Sequence, residues 1–114
     1  MTVRKEKHVK HHNVYVVLLD DSVAQKAKVK AANPKRNPKK PCVYVGMTGL
    51  TPEERFKKHK KGYKSSKYVR DHGIRLLPKL YKKYNPMSFD NAVRTEELLA
   101  DELRAEGYTV LGGH

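Results

Sequence analysis

Two short runs of β-branched, aromatic and aliphatic residues stand out along the chain, NVYVVLL over residues 13–19 and CVYVGMT over residues 42–48. Each reads as a buried strand, because the apolar residues follow one another without helical gaps and stop within eight positions. Asp20-Asp21 closes the first run. Between the two lies SVAQKAKVKAANPKRNPKK, whose alanines and lysines can make a short helix before Pro34, Pro38 and Pro41 exclude regular structure. The strands are read as an antiparallel pair joined by a long basic loop, since a parallel pair would need a crossover helix with an apolar face.

Thr51-Pro52-Glu53-Glu54 then gives a helix start, with threonine as cap, proline at the first helical position and a glutamate placed to reach back to the cap. Gly62 ends it, so the spacing predicts a helix from about Pro52 to Lys61. GYKSSKYVRDHG reads as a polar, basic connection. IRLLPKLYKKY, residues 74–84, partly alternates and predicts a third strand that Pro78 confines to an edge or interrupts. A second helix starts at Ser88 or Asp90 and stops at Gly107, and YTVL beyond it is a short last strand or a terminal extension. The class is α/β in the mixed, α+β sense: a small, largely antiparallel sheet flanked by helices. Residues 13–114 read as one domain with a basic insertion at about 20–41, preceded by a basic arm, residues 1–12, expected to be mobile.

Composition narrows the partners. With 114 residues and 38% apolar content the chain has room for one modest core. Lys and Arg outnumber Asp and Glu by 25 to 12, and a formal charge of +13 on so short a chain points first to nucleic acid. A membrane partner is not expected, because the apolar run Val14–Leu19 falls far short of the roughly 20 residues that span a bilayer. Cys42 is the single cysteine and the first residues are polar and basic, so the expectation is an intracellular, cytoplasmic protein without a disulfide. His8, His11 and His12 lie in the charged leader with nothing apolar to fix a metal geometry, and they are read as part of the arm.

On the second helix the apolar stripe is Ala92, Val93, Leu99, Ala100 and Leu103, and its centre line passes through Glu96. A carboxylate there requires a partner, whether a cation, a basic side chain in a salt bridge, or solvent if the stripe is rotated to put Glu96 at its rim. Glu97 falls toward the solvated edge. On the first helix Arg55 and His59 share a face at i, i+4, as either a phosphate-binding pair or an ordinary exposed stripe. Tyr15 and Tyr44 sit in the middle of the two strands, each flanked by valines, and can project from one face of a hairpin if the register allows. Gly46 is placed to let backbone approach a ligand.

Taken in order, NVYVVL, CVYVGMTG, TPEERFKKHKKG and AVRTEELLADEL resemble the GIY-YIG nuclease superfamily, over nearly the whole chain from Asn13. The resemblance implies a three-stranded antiparallel sheet with flanking helices and hydrolysis of phosphodiester bonds. It also implies one divalent cation, Mg²⁺ or Mn²⁺, held by Glu96, which the spacing to Leu99 and Leu103 selects over Glu97. Tyr15, Tyr44 and His59 would position or activate the attacking water, Arg55 would stabilise phosphate charge, and Gly46 would be the motif glycine. The chain departs from the family in three places. Asn13-Val14 replaces the usual Gly-Ile; Tyr15 and Tyr44 are 29 positions apart (44 minus 15), which makes the basic loop an insertion; and Leu111-Gly112-Gly113 stands where many members carry an asparagine.

The expected function is therefore a metal-dependent endonuclease, with DNA favoured over RNA. Lys26, Lys28, Lys30, Lys35 and Arg36 of the insertion, with Lys57, Lys58, Lys60, Lys61, Lys64 and Lys67, would hold the backbone without reading sequence. Tyr63 and Tyr68 among them are either packing residues or platforms for unpaired bases. No recognition module is visible, so specificity is expected to be low or to come from a homodimer or an accessory partner. The alternatives are a non-catalytic nucleic-acid-binding or ribosome-associated protein on the same fold, and a basic structural adaptor.

Overall fold

The computed structural model describes residues 10–113. Most of the basic arm, including His8, lies outside the described residues; the described part, Lys10 to His12, ends in backbone pairing, with His12 bridged to Met87 through hydrogen bonds of 2.9 and 2.8 Å. The sheet has four strands in the order β3-β1-β2-β4: β1 Asn13–Leu19, β2 Cys42–Thr48, β3 Gly73–Leu76 and β4 Thr109–Gly112. The helices are α1 Ala27–Ala32, α2 Pro52–Lys60, α3 Lys67–His72 and α4 Phe89–Ala105.

The α+β class is as expected, and the first two strands are antiparallel, with Tyr15 opposite Gly46 and Val17 opposite Tyr44. The sheet itself differs from a three-stranded antiparallel one. YTVL forms β4, which pairs in parallel with β2, so the sheet is mixed. The α4 helix, packed on β2 and β4, carries the chain back to the starting end, which a parallel partner requires. The predicted third strand is cut short: β3 keeps four residues beside β1, and Pro78 and Lys82 open two 3₁₀ turns, because proline cannot continue the ladder. Part of the polar connection after Gly62 is helical, as α3, which buries Val69 against the core.

Both central strands are covered on both faces: Val14, Tyr15, Val16 and Val17 are buried in succession, and Cys42, Val43 and Val45 are buried around a half-buried Tyr44. Among the described residues no helix is long and apolar enough to cross a membrane.

The basic insertion is a built part of the domain. A 3₁₀ turn, Asp21–Gln25, and α1 bury Val23, Ala24 and Val29. Asn33, 2% exposed, then clamps the segment to β4: its Nδ2 donates to the carbonyls of Val29 (2.8 Å) and Val110 (3.2 Å), and its Oδ1 accepts from the Val110 amide (2.9 Å). A side chain that satisfies both backbone groups of one strand residue behaves as a short extra ladder rung.

Candidate active site

The register of β1 and β2 decides which side chains meet. Directly opposed residues of an antiparallel pair share a face, and so do residues two apart, so Tyr15, Val17, Tyr44 and Gly46 project to one side. The rings of Tyr15 and Tyr44 lie diagonally, their centroids 6.4 Å apart. Gly46 serves Tyr15 here, not a ligand: a Cβ at Gly46 would stand 2.5 Å from the Tyr15 hydroxyl, so the missing side chain is the space in which the phenol lies.

Helix α2 brings in the next two groups. Its first turn is fixed by the anticipated capping box, Thr51 Oγ1 accepting from the Glu54 amide (3.1 Å) and the Glu54 carboxylate from the Thr51 amide (3.0 Å). One face of the helix then lies against the sheet, burying His59 to 1% exposure. The His59 Nε2 is 2.8 Å from the Tyr15 hydroxyl, and the Ser66 amide donates to its Nδ1 at 3.1 Å. An amide can only donate, so Nδ1 is the unprotonated nitrogen; Nε2 carries the hydrogen and donates it to the Tyr15 oxygen. Burial, aided by the Arg55 charge, pushes His59 down to about 4, so the ring is neutral near pH 7, as the Ser66 contact requires. Ser66 had no signal in the sequence beyond its place in a polar connection.

Arg55, half-buried, has Nη1 donating to the carbonyl of Tyr63 (3.2 Å) and Nη2 to that of Lys64 (2.6 Å). Lys64 turns its carbonyl toward Arg55 with a left-handed backbone, φ 44°, unusual for a residue with a side chain. The guanidinium is thereby held beside the two phenols, on both of which its charge acts.

Glu96 comes from α4, whose start is capped by the Ser88 hydroxyl accepting from the Asn91 amide (3.2 Å) and whose buried stripe is Ala92, Glu96, Leu99, Ala100 and Leu103. Glu96 is 6% exposed and its Oε1 is buried without a hydrogen-bond partner, while Glu97 is exposed. The salt-bridge and rim alternatives for Glu96 are not realised: the side-chain ion pairs among the described residues are Arg70–Asp71 and Arg104–Asp101, neither of which involves it. Burial, with a smaller contribution from Glu97, pushes its carboxyl up to about 7. The Tyr15 phenol is driven well above its usual range, first by burial and then by Tyr44, against the opposing pull of Arg55, with Glu96 adding a further upward push. Tyr44 is raised by burial and by Glu96. Tyr15, Tyr44, Arg55, His59 and Glu96 thus form one electrostatically connected cluster.

The end of β4 passes close to this cluster. Gly112 and Gly113 have φ of 77° and 84°, and the Gly113 amide donates to the Val45 carbonyl at 2.9 Å. A Cβ at Gly112 would meet the Val45 carbonyl and the Tyr44 ring, and one at Gly113 would strike Ala100 of α4 at 2.3 Å. Backbone alone fits between β2 and α4 there.

Lys26, Lys28, Lys30 and Lys35 of the insertion, and Lys57, Lys58, Lys61, Lys64 and Lys67, are exposed, and Arg36 is half-buried. Lys58 and Lys64 hold their ammonium groups over the Tyr63 ring, 4.8 and 5.6 Å from its centroid. Lys60, also exposed, donates to the carbonyls of Arg70 (3.0 Å) and Gly73 (2.9 Å). Comparison of the chain with protein-family models, with curated proteins and with solved structures found no match.

Proposed function

We propose that this protein is a metal-dependent endonuclease of the GIY-YIG type that hydrolyses phosphodiester bonds in nucleic acid, DNA in preference to RNA, with low intrinsic sequence specificity. The observation that carries the reading is the Glu96 carboxyl, buried with an unpartnered oxygen and within electrostatic reach of both phenols, one of which is hydrogen-bonded to a neutral histidine. An acid held that way is costly unless something positive meets it. One carboxylate without a companion cluster suits a hard ion that keeps most of its waters, and among the described residues there is no group of three His, Cys, Asp or Glu that would suggest another metal. Mg²⁺ or Mn²⁺ at Glu96 would supply positive charge against the charge that develops on the phosphoryl oxygens.

The chain's own groups divide the remaining work. His59 acts through Tyr15: its Nε2–H occupies one lone pair of the phenol oxygen, which leaves the phenol's own proton and its other lone pair to fix the attacking water. That makes His59 a positioning residue and not the proton acceptor. Tyr44, half-buried, reaches the surface and would contact the water or the phosphate. Arg55, fixed by two loop carbonyls, offers its remaining N–H groups and charge to the phosphate. Where a family asparagine would reach the site, Gly112-Gly113 leave no room for a side chain, so the reading assigns it no substitute there.

The test is cleavage of labelled DNA and RNA of several shapes with Mg²⁺ or Mn²⁺, wild type against Glu96→Ala. Loss of cutting in the variant is expected. Equal cutting by both proteins rules out the mechanism, and no cutting of any substrate by wild type favours the non-catalytic nucleic-acid-binding alternative, for which the charge of +13 would suffice.

A further inference from the structure

An open depression of about 360 Å³ shares Tyr44 with the reacting cluster and otherwise lies outside it. Its lining includes Val29 and Ala32 of α1, Tyr68 of α3, Leu111 of β4 and Tyr44, with Lys28 and Arg104 among the polar groups. We propose that it receives one unpaired nucleobase adjacent to the scissile phosphate. The inference rests on the nuclease reading and names the substrate class that this reading leaves open.

Three observations support a base as the occupant. The lining is apolar and carries two aromatic rings, Tyr44 and half-buried Tyr68, and a base offers a π-face to such walls whatever its identity. Arg104 has a buried Nε–H with no acceptor among the described residues, and its other contacts are long, 3.6 Å to Asp101 and 3.5 Å to the Val110 carbonyl. Arg104 lines the depression, and its guanidinium, whose contacts are long, offers N–H donors to the carbonyl or ring nitrogen of a base edge that an apolar peptide would not satisfy. Lys28 complements the phosphate attached to the base. Because Tyr44 belongs both to this wall and to the reacting cluster, a base seated here would lie next to the cluster. A base within an intact duplex must first be unpaired and unstacked, which costs free energy, so the subsite favours positions already unpaired, such as bulges, gaps, flaps or single strands.

The experiment uses the full chain carrying Glu96→Gln, which prevents turnover, with Mg²⁺ and oligonucleotides containing 2-aminopurine, either unpaired in a one-nucleotide bulge or inside continuous duplex. DNA and RNA versions distinguish the two sources of base. Binding is expected to change the fluorescence of the unpaired probe only. Tyr68→Ala, and independently Ala32→Leu, which fills the depression at an exposed position, should each weaken binding of the bulged oligonucleotide by roughly 5- to 100-fold. Tyr68→Phe should retain it, and affinity for continuous duplex should change by less than about twofold in all three. If bulged and continuous oligonucleotides bind alike and the variants affect neither, the subsite is refuted while the nuclease reading stands. If no oligonucleotide binds, the proposed function falls and the subsite with it.

Discussion

Replacing Glu96 by Gln removes a charge while keeping the shape, and the structure fixes how the effect must depend on pH. In the folded protein the Glu96 carboxyl is raised from 4.5 to about 7 by burial and by Glu97. Below pH 4.5 it is protonated folded and unfolded, and contributes nothing to the pH dependence. As pH rises toward 7 the unfolded chain releases this proton while the folded chain retains it, so the folded state binds more protons and loses stability with each step. Above 7 the loss is complete. At about 1.4 kcal/mol per pH unit it amounts to about 3 kcal/mol, the cost of an ionised carboxylate with an unpartnered oxygen. Glu96→Gln does not titrate, so its stability relative to wild type should improve by about 3 kcal/mol between pH 4.5 and 8.5 in the presence of a chelator. A constant offset from the buried amide would shift both ends equally and leave this difference intact.

Urea denaturation of both proteins at the two pH values, with EDTA and with 10 mM Mg²⁺, reads the effect directly. Magnesium at pH 8.5 should return much of the lost stability to wild type, because a ion that binds only the folded state stabilises it by mass action, and should do nothing for Glu96→Gln. Below pH 7 protons compete with the cation, so its apparent affinity for wild type should fall about tenfold per pH unit. Parallel pH profiles for the two proteins in EDTA would show that the carboxylate already has a partner in the fold, and the argument for a cation site would collapse.

Three further perturbations test other parts of the arrangement. Gly46→Ala forces a methyl group into the space of the Tyr15 hydroxyl, and should cost about 1–3 kcal/mol in thermal unfolding and abolish cleavage by displacing the phenol. Tyr15→Phe keeps the ring and removes the oxygen; stability should fall by no more than about 1–3 kcal/mol, from the His59 Nε2–H left unpaired, while the cleavage rate should drop by about 10²-fold or more. Asn33→Ala strands the amide and carbonyl of Val110, and should destabilise the protein by about 2–4 kcal/mol with faster hydrogen exchange across α1 and β4; unchanged exchange there would mean that the clamp does not hold the insertion.

Local patterns made β1, β2, α2 and α4 legible, because their information is local: continuous apolar runs, a capping box, and a stripe whose one polar member, Glu96, was visible as an anomaly. What stayed hidden depends on distant partners. The third strand was legible but its length was not, since β3 stops at Leu76 and 3₁₀ turns follow from Pro78, and nothing in YTVL states that its partner is β2 in parallel, since that choice is made by where α4 delivers the chain. The short helix of the insertion was legible from its alanines and lysines, but its packing was not, because Val23 and Val29 belong to two separate short elements, and only the turn at Gln25 and Lys26 brings both onto the core.

The candidate site divides along the same line. Residue types and spacing pointed to Tyr15, Tyr44, Arg55, His59 and Glu96, but the protonation state of His59 depends on an amide seven residues away, and the reason for Gly46 on a phenol across the strand pair. Both bear on chemistry. With Ser66 donating to Nδ1, His59 has no free nitrogen with which to take a proton, and its influence on any reaction must pass through the Tyr15 oxygen. Gly46, by making room for that oxygen, supports the same contact from the other side. The Tyr15 hydroxyl is therefore the point on which the hairpin register, the α2 helix and the loop after it all converge, and Glu96, with its unpartnered oxygen, acts on it electrostatically.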